Sequence, residues 1–388
     1  MPCTADSAPR LPRVRVLREA PGRHGDPLPG GRGGSVATVA VDALGADAGP
    51  AEVAAGARIA AESGTRSILF GPESELRDAL ASVSGLEIVD APVGISNEEE
   101  PARAVRAKPE SSIVQAARAV AEGRADALLS AGSTGAALAA SLLQIKRVPG
   151  VYRPAVAVLL PLPVGQVLLL DAGANVEVRP EHLVQFAYMG AAFSERVLGT
   201  QRPRVGLLSV GEEPEKGTPD VVAAHAELAG GDLAFAGNVE GDRLTSGEFD
   251  VVVTDGFTGN VALKLMEGTV RTLTGAIRDA VRSGTLSKLG GLLIRPKLAG
   301  VRQRLDPETV GGAYLLGLRR LVVICHGRSS RRAVASALAL AERGVQAQIV
   351  EEMTEALAVA SVLRGESPAQ AENPTGPVSV AADSVKTP

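Results

Sequence analysis

Residues 125–145 read Ala-Asp-Ala-Leu-Leu-Ser-Ala-Gly-Ser-Thr-Gly-Ala-Ala-Leu-Ala-Ala-Ser-Leu-Leu-Gln-Ile. The opening is a short apolar run that ends in turn residues, the pattern of a buried strand. The close is rich in Ala and Leu, both strong helix formers. Between them, Gly132 and Gly135 bracket Ser133 and Thr134. A glycine-rich turn that enters a helix leaves the first helical N–H groups without partners. Those donors and the positive end of the helix dipole together form a place for an anion. The hydroxyls of Ser133 and Thr134 add donors. The plainer alternative is a strand-to-helix turn with Thr134 as its N-cap.

The same strand-then-helix pattern recurs outward from this stretch. Apolar β-type runs are expected at Val36–Val41, Ser67–Phe70, Leu86–Val89, Ala155–Leu160, Val167–Leu170, Arg204–Val210, Val251–Thr254 and Leu321–Ile324. Helices are expected at Pro50–Ser63, Glu73–Ser82, Ser111–Glu122, Pro180–Val197 and Val261–Glu267. Repeated alternation predicts an α/β fold, a mostly parallel sheet with helices on both faces. Ligands on such sheets sit at the carboxyl ends of strands. The segments that follow the strands carry Asp42 to Pro50, Ala131 to Ala136, Asp171 to Val176, Gly211 to Gly217, Asp255 to Asn260 and Cys325 to Ser330. Their shared content of Gly, Ser, Thr, Asn, Asp, Lys and His predicts one pocket along one edge.

Composition narrows the function. The 388-residue chain is 45% hydrophobic and 22% charged, but only 2% aromatic, with no Trp. Single-stranded nucleic acid is held on aromatic platforms that this chain lacks, and a net charge of −4 supplies no attracting basic field. Two cysteines, Cys3 and Cys325, make no disulfide framework, which fits a cytosolic protein. Four histidines without ligand-like spacing give no zinc motif. The turn after the first strand is not G-x-G-x-x-G, so a dinucleotide cofactor is unsupported. No apolar run reaches transmembrane length. Residues 1–35 are rich in Pro, Gly and Arg and read as a disordered extension or an upstream start; residues 366–388 read as a similar tail. The folded part is then residues 36–365.

Several blocks taken together resemble the phosphate acyltransferase (PlsX) family. They are Val41-Asp42-Ala43-Leu44-Gly45-Ala46-Asp47, Ser130-Ala131-Gly132-Ser133-Thr134-Gly135-Ala136 and Asp171-Ala172-Gly173-Ala174-Asn175. Arg179 to Ala187, Gly237-Asn238-Val239-Glu240-Gly241 and Asp255-Gly256-Phe257-Thr258-Gly259-Asn260-Val261 belong with them, as do Glu100 to Ser112 and His326-Gly327. The chain departs from the family pattern at Ala46, where a second Gly is usual, at Ser133, where Asn is usual, and at Arg328.

The resemblance implies acyl transfer from acyl-carrier protein to inorganic phosphate. The product, an acyl phosphate, feeds the first acylation of phospholipid synthesis by a downstream glycerol-3-phosphate acyltransferase. The implied fold is a three-layer α/β/α sandwich like that of the isocitrate and isopropylmalate dehydrogenases, usually a homodimer. The implied location is cytoplasmic, attached peripherally to the inner face of the cell membrane, with no cofactor and no metal. The alternatives are a phosphotransacetylase that uses a coenzyme A thioester, a dehydrogenase on a similar sheet, and a non-catalytic membrane scaffold for lipid enzymes.

The reaction needs no protein nucleophile, since phosphate is already ionised near neutral pH and a thiolate leaves readily. It needs phosphate held beside the thioester and a donor for the carbonyl oxygen. The phosphate is assigned to the N–H groups of Gly132, Ser133, Thr134 and Gly135 and to the two hydroxyls. Lys264 and His326 are candidate cationic or oxyanion donors. Asn260 and Asn175 could orient either substrate, and Asp47 and Asp255 could orient the donors. Asp47 alternatively caps a helix. Lys108 is a further candidate, and Cys325 reads as a buried apolar residue.

One stretch points elsewhere. Leu286, Leu289, Leu292 and Leu293 recur at helical spacing, Pro296 is expected to interrupt the helix, and Leu298, Val301 and Leu305 resume the period. From Glu267 to Asp306 eight basic residues face three acidic ones. A basic amphipathic hairpin at 285–305 predicts contact with a lipid surface, or burial of its leucines in a dimer interface.

Overall fold

The computed structural model describes residues 37–80, 84–162, 165–304 and 311–363, with side chains left aside at 296–304. The predicted extension, the predicted tail and Leu305 lie outside the described residues.

An 11-stranded sheet runs through the chain in the order β3-β2-β1-β4-β11-β10-β5-β6-β9-β7-β8. The strands are β1 (Thr38–Asp42), β2 (Arg66–Gly71), β3 (Leu86–Asp90), β4 (Ala127–Ser130), β5 (Ala155–Leu162), β6 (Gly165–Leu170), β7 (Val205–Leu208), β8 (Phe235–Val239), β9 (Val251–Val253), β10 (Ala313–Leu316) and β11 (Leu321–Ile324). The helices are α1 (Pro50–Glu62), α2 (Glu73–Leu80), α3 (Pro101–Ala107), α4 (Ser112–Ala121), α5 (Thr134–Gln144), α6 (Pro180–Arg196), α7 (Pro219–Ala229), α8 (Gly256–Arg282), α9 (Thr285–Arg304), α10 (Arg331–Gln346) and α11 (Ile349–Val359).

Period-two alternation sorts strand residues to two faces. Val39, Val41, Leu129, Leu170, Val253 and Val323 join one core with α1, α2, α6, α7, α10 and α11. Ala40, Leu128, Leu169, Val252 and Val322 join a second core with α3, α4 and α5, and Leu263 and Met266 of α8 pack against it. This is the expected three-layer α/β/α arrangement. Both cores are built from Ala, Val and Leu, and small side chains let the helices lie close to the sheet. Gly56 of α1, for instance, sits against Val334 of α10.

The expectation of a single pocket edge is corrected by the centre of the sheet. β10 is antiparallel to both β11 and β5, and β5 is antiparallel to β6. The block β3-β2-β1-β4-β11 therefore runs one way, and the block β6-β9-β7-β8 runs the other. The carboxyl ends of the first block define one edge, and those of the second block the opposite edge. Leu129, Val323, Tyr314, Ala157 and Leu170 share one row across the middle. At about 4.8 Å per strand, its ends are about 19 Å apart.

The expected helix break at Pro296 is also corrected. Helix α9 continues through Pro296 to Arg304. A proline removes one backbone hydrogen bond, and here that loss does not end the helix. The amphipathic hairpin consists of α8 and α9 joined at residues 283–284, and Gly291 of α9 lies against Val281 of α8.

Candidate active site

At the first edge, the segments after β1, β4 and β11 converge. Gly45 has φ +92°, and a Cβ there would lie 2.9 Å from Gly132 Cα, so only glycine lets the first two segments touch. The Asp47 N–H donates to the Gly327 carbonyl at 2.8 Å, and the Cys325 N–H to the Ser130 carbonyl at 2.9 Å. Helices α1, α5 and α10 all begin here, so their positive dipole ends gather at one place.

Their caps differ. Ser330 caps α10 by accepting from the Ala333 N–H. The N-caps of α1 and α5 are Gly49 and Ser133, and neither makes a side-chain cap. Neither alternative cap forms: Thr134 is the first residue of α5, and Asp47 caps no helix among the described residues. The Asp47 carboxylate instead lies 3.6 Å from the Arg328 guanidinium at the surface. The first N–H groups of α5, from Thr134 to Ala136, thus have no side-chain acceptor among the described residues.

Behind the loop lies a carboxylate whose role the sequence alone does not show. Asp42 is buried; it accepts from the Ser112 hydroxyl at 2.6 Å and the Ser130 hydroxyl at 2.8 Å. The Ser130 oxygen in turn accepts from the Gly132 N–H at 3.2 Å. Burial raises the Asp42 pKa from 3.8 to about 6, against the opposing pull of Ser112, Ser130 and Leu44. A relay Asp42–Ser130–Gly132 therefore fixes the floor of the loop. Asp42 closes the first strand, and Ser112 and Ser130 stand in two other family blocks, so only the fold brings the three together.

His326 is exposed beside this loop. Its Nδ1 accepts from the Arg328 N–H at 3.4 Å, which places the proton of the neutral ring on Nε2. Lys108 donates to Glu99 at 2.8 Å and to the Gly94 carbonyl at 3.4 Å, and Gly94 packs on Leu44. Lys108 thus ties down a wall of the first edge. Cys325 is buried and its thiol is pushed up to about 12, so it does not supply a thiolate.

The second edge holds a different assembly. Asp171 is fully buried and accepts from the N–H groups of Val156, Gly173, Ala174 and Asn175 and from the Asn175 amide. Burial nevertheless pushes its pKa upward. The Asn175 amide also donates to the Pro154 carbonyl at 2.8 Å, and the Asn175 carbonyl accepts from the Gly256 N–H at 2.6 Å. Asp255 caps α8 through the Thr258 N–H at 2.8 Å. Asn260, in the first turns of α8, faces Gly173.

The predicted residues therefore separate into two groups. Gly132, Ser133, Thr134, Gly135, Asp47, Lys108 and His326 gather at the first edge. Asn175, Asp255 and Asn260 gather at the second, where Asn175 and Asp255 hold the start of α8. Lys264 lies about 12 Å along α8 from its first residue. Its ammonium is 3.9 Å from Glu267 and partly exposed.

Residues 37–352 match the family described as fatty acid synthesis protein. A phosphate acyltransferase from Heliobacterium modesticaldum is 46% identical over 323 residues, covering 82% of this chain and 96% of that protein. The chain belongs to the phosphate acyltransferase family. Family membership makes it an acyltransferase. The phosphate acyltransferase from Anaeromyxobacter sp. (strain K) is 44% identical over 335 residues, covering 85% of this chain and 93% of the relative. Among solved structures, a phosphotransacetylase from Streptococcus pyogenes aligns with a TM-score of 0.54 at 19% identity, covering 81% of this chain and 94% of that one. The match to the phosphotransacetylase is one of fold.

Proposed function

We propose that this phosphate acyltransferase moves a fatty acyl group from the thioester of acyl-carrier protein to inorganic phosphate, releasing acyl phosphate for phospholipid synthesis. The observation that carries the reading is the uncapped start of α5 at the Gly132–Gly135 loop, held from behind by Asp42 and Ser130. Phosphate bound there is itself the nucleophile. One of its oxygens attacks the thioester carbonyl carbon, the tetrahedral intermediate collapses, and the carrier leaves as a thiolate that takes up a proton. The His326 Nε2–H is the nearby donor for the carbonyl oxygen. One such donor is typically worth about 10²–10³ in rate. The high pKa of the Cys325 thiol argues against an acyl-cysteine route.

The test is thiol release from acyl-carrier-protein thioester with and without phosphate, with acyl phosphate identified as product. Release should require phosphate and saturate with it; equal release without phosphate would mean a thioesterase. Replacing the carrier by coenzyme A in the same assay tests the phosphotransacetylase alternative. Thr134→Val keeps the shape and removes the hydroxyl. It should raise the KM for phosphate about tenfold, as loss of a charge-assisted hydrogen bond does, and leave the KM for the thioester unchanged. A change confined to the thioester KM would reassign the loop.

The same reading includes a homodimer and peripheral attachment to the inner face of the cell membrane. Phe257, Val261, Leu265, Leu273 and Ile277 stand exposed along α8, and a second copy of the chain would cover them. On α9, Leu286, Leu289, Leu292 and Leu293 are 57–83% exposed. No helix among the described residues is long and apolar enough to cross a membrane. Each nearby Lys or Arg adds about 1 kcal/mol of attraction to an anionic surface, falling off within a Debye length. The protein should pellet with anionic vesicles at low salt and less at high salt. Leu292→Glu with Leu293→Glu should abolish pelleting and keep soluble turnover. A double variant that loses its dimer instead would place these leucines between subunits.

A further inference from the structure

The far end of α5 is as distinctive as its start. The helix enters at the anion loop and ends, about 16 Å away, at the second edge. There Ala121, Gln144, Ile145, Lys146, Arg319 and Arg320 line an open groove of about 470 Å³. We propose that this basic groove docks an acidic protein, and that on the function proposed above the docked protein is the acyl-carrier protein itself.

The cations are placed by backbone structure. Lys146 follows the C-cap of α5 in the left-handed region, at φ 69°, a position that favours glycine. Its N–H donates to the Ser141 carbonyl at 2.9 Å, and its carbonyl accepts from the Arg319 N–H at 3.0 Å. The Arg319 Nε donates to the Arg147 carbonyl at 3.0 Å, and Arg147 bridges Leu318. Two turns from distant parts of the chain are thus stapled together, and each presents cationic side chains to the groove. Lys146, Arg319 and Arg320 are exposed, and no carboxylate pairs with any of them among the described residues. Glu122, next to the groove-lining Ala121, is instead 3.4 Å from Arg124.

The positive field extends along the edge. Arg153 is exposed next to Pro154, whose carbonyl holds Asn175. Burial together with Arg153, Arg179 and Arg147 lowers the pKa of the His182 imidazole to about 4. A single small anion would need one or two of these cations. An array spread over several turns, on a chain of net charge −4, matches a carboxylate-bearing protein face better. It also suits delivery: a carrier docked there needs a prosthetic arm that reaches along α5 to the Gly132–Gly135 loop.

The experiment compares donors in the intact protein. Lys146→Glu with Arg320→Glu should raise the KM for acyl-carrier-protein thioester about tenfold or more and flatten its salt dependence. Turnover of an acyl-pantetheine thioester, which has no carrier to dock, should stay at the wild-type rate. Lys146→Gly guards against misfolding. It relieves the left-handed backbone, so it should raise the melting temperature while still weakening carrier binding. An unchanged carrier KM in both variants would overturn the proposal. An equal rise in KM for acyl-coenzyme A would overturn it too, making the groove a small-anion site. Direct binding of fluorescently labelled carrier protein reports docking whether or not phosphate is the acceptor. Phosphate-independent release from acyl-pantetheine by the wild type would sink the catalytic reading alone.

Discussion

Gly259→Ala is expected to destabilise the protein by about 3 kcal/mol, at the upper end for overpacking substitutions. A Cβ at this position falls on the Asp171 carbonyl oxygen and close to Thr254. Both the carbonyl and the helix that carries Gly259 are backbone, so no rotamer change relieves the overlap. Asp171 cannot yield either, because its carboxylate is held by four N–H groups and the Asn175 amide. The start of α8 must therefore move, taking Asn260 with it, and stability should fall. Gly268→Ala is the control in the same helix. A Cβ there meets nothing within 4 Å, and alanine should be neutral or stabilising by up to about 1 kcal/mol. Urea midpoints of the two variants measure the contrast. Equal midpoints would mean that α8 is not seated on Asp171.

Asp42→Asn is expected to change how stability depends on pH. The folded chain holds the Asp42 proton up to about pH 6, whereas an ordinary aspartate loses it near 3.8. Between these values the folded state binds more protons than the unfolded state, so stability falls as pH rises through this window. The difference in pKa corresponds to about 3 kcal/mol. Asparagine has no such titration and can still bridge Ser112 and Ser130. Relative to the variant, the wild type should therefore lose about 3 kcal/mol between pH 3 and pH 7. Parallel stability profiles would show that the carboxylate ionises normally.

The fold was largely legible because strands and helices announce themselves by period. Leu321–Ile324 is a strand with the bounds its apolar run suggests, and the 125–145 stretch folds as strand, turn and helix. Strand direction was legible only in the spacing. Ala155–Leu160 and Val167–Leu170 read as further apolar runs, and the six residues between them are too few for a parallel crossover, so they had to form an antiparallel hairpin. Because that spacing was passed over, the loops were assigned to one edge when they occupy two. Helix α8 extends well beyond the expected Val261–Glu267, since Gly259, Gly268 and Gly275 weaken its helical signal. Helix α10 went unread although Val334, Ala337, Leu338 and Ala341 recur on its buried face at helical spacing. Within the site, the Gly132–Gly135 loop was legible from its glycines. The Asp42 relay was not, because its partners Ser112 and Ser130 come from distant parts of the chain.

The most direct test of where phosphate binds is a crystal structure of the protein grown without other oxyanions and soaked in phosphate. The account predicts a phosphate at the first edge, taking hydrogen bonds from the N–H groups of Thr134, Gly135 and Ala136 and from the Thr134 hydroxyl, with His326 within reach. Phosphate bound instead at the start of α8 beside Asn260, with the Gly132–Gly135 loop empty, would contradict it.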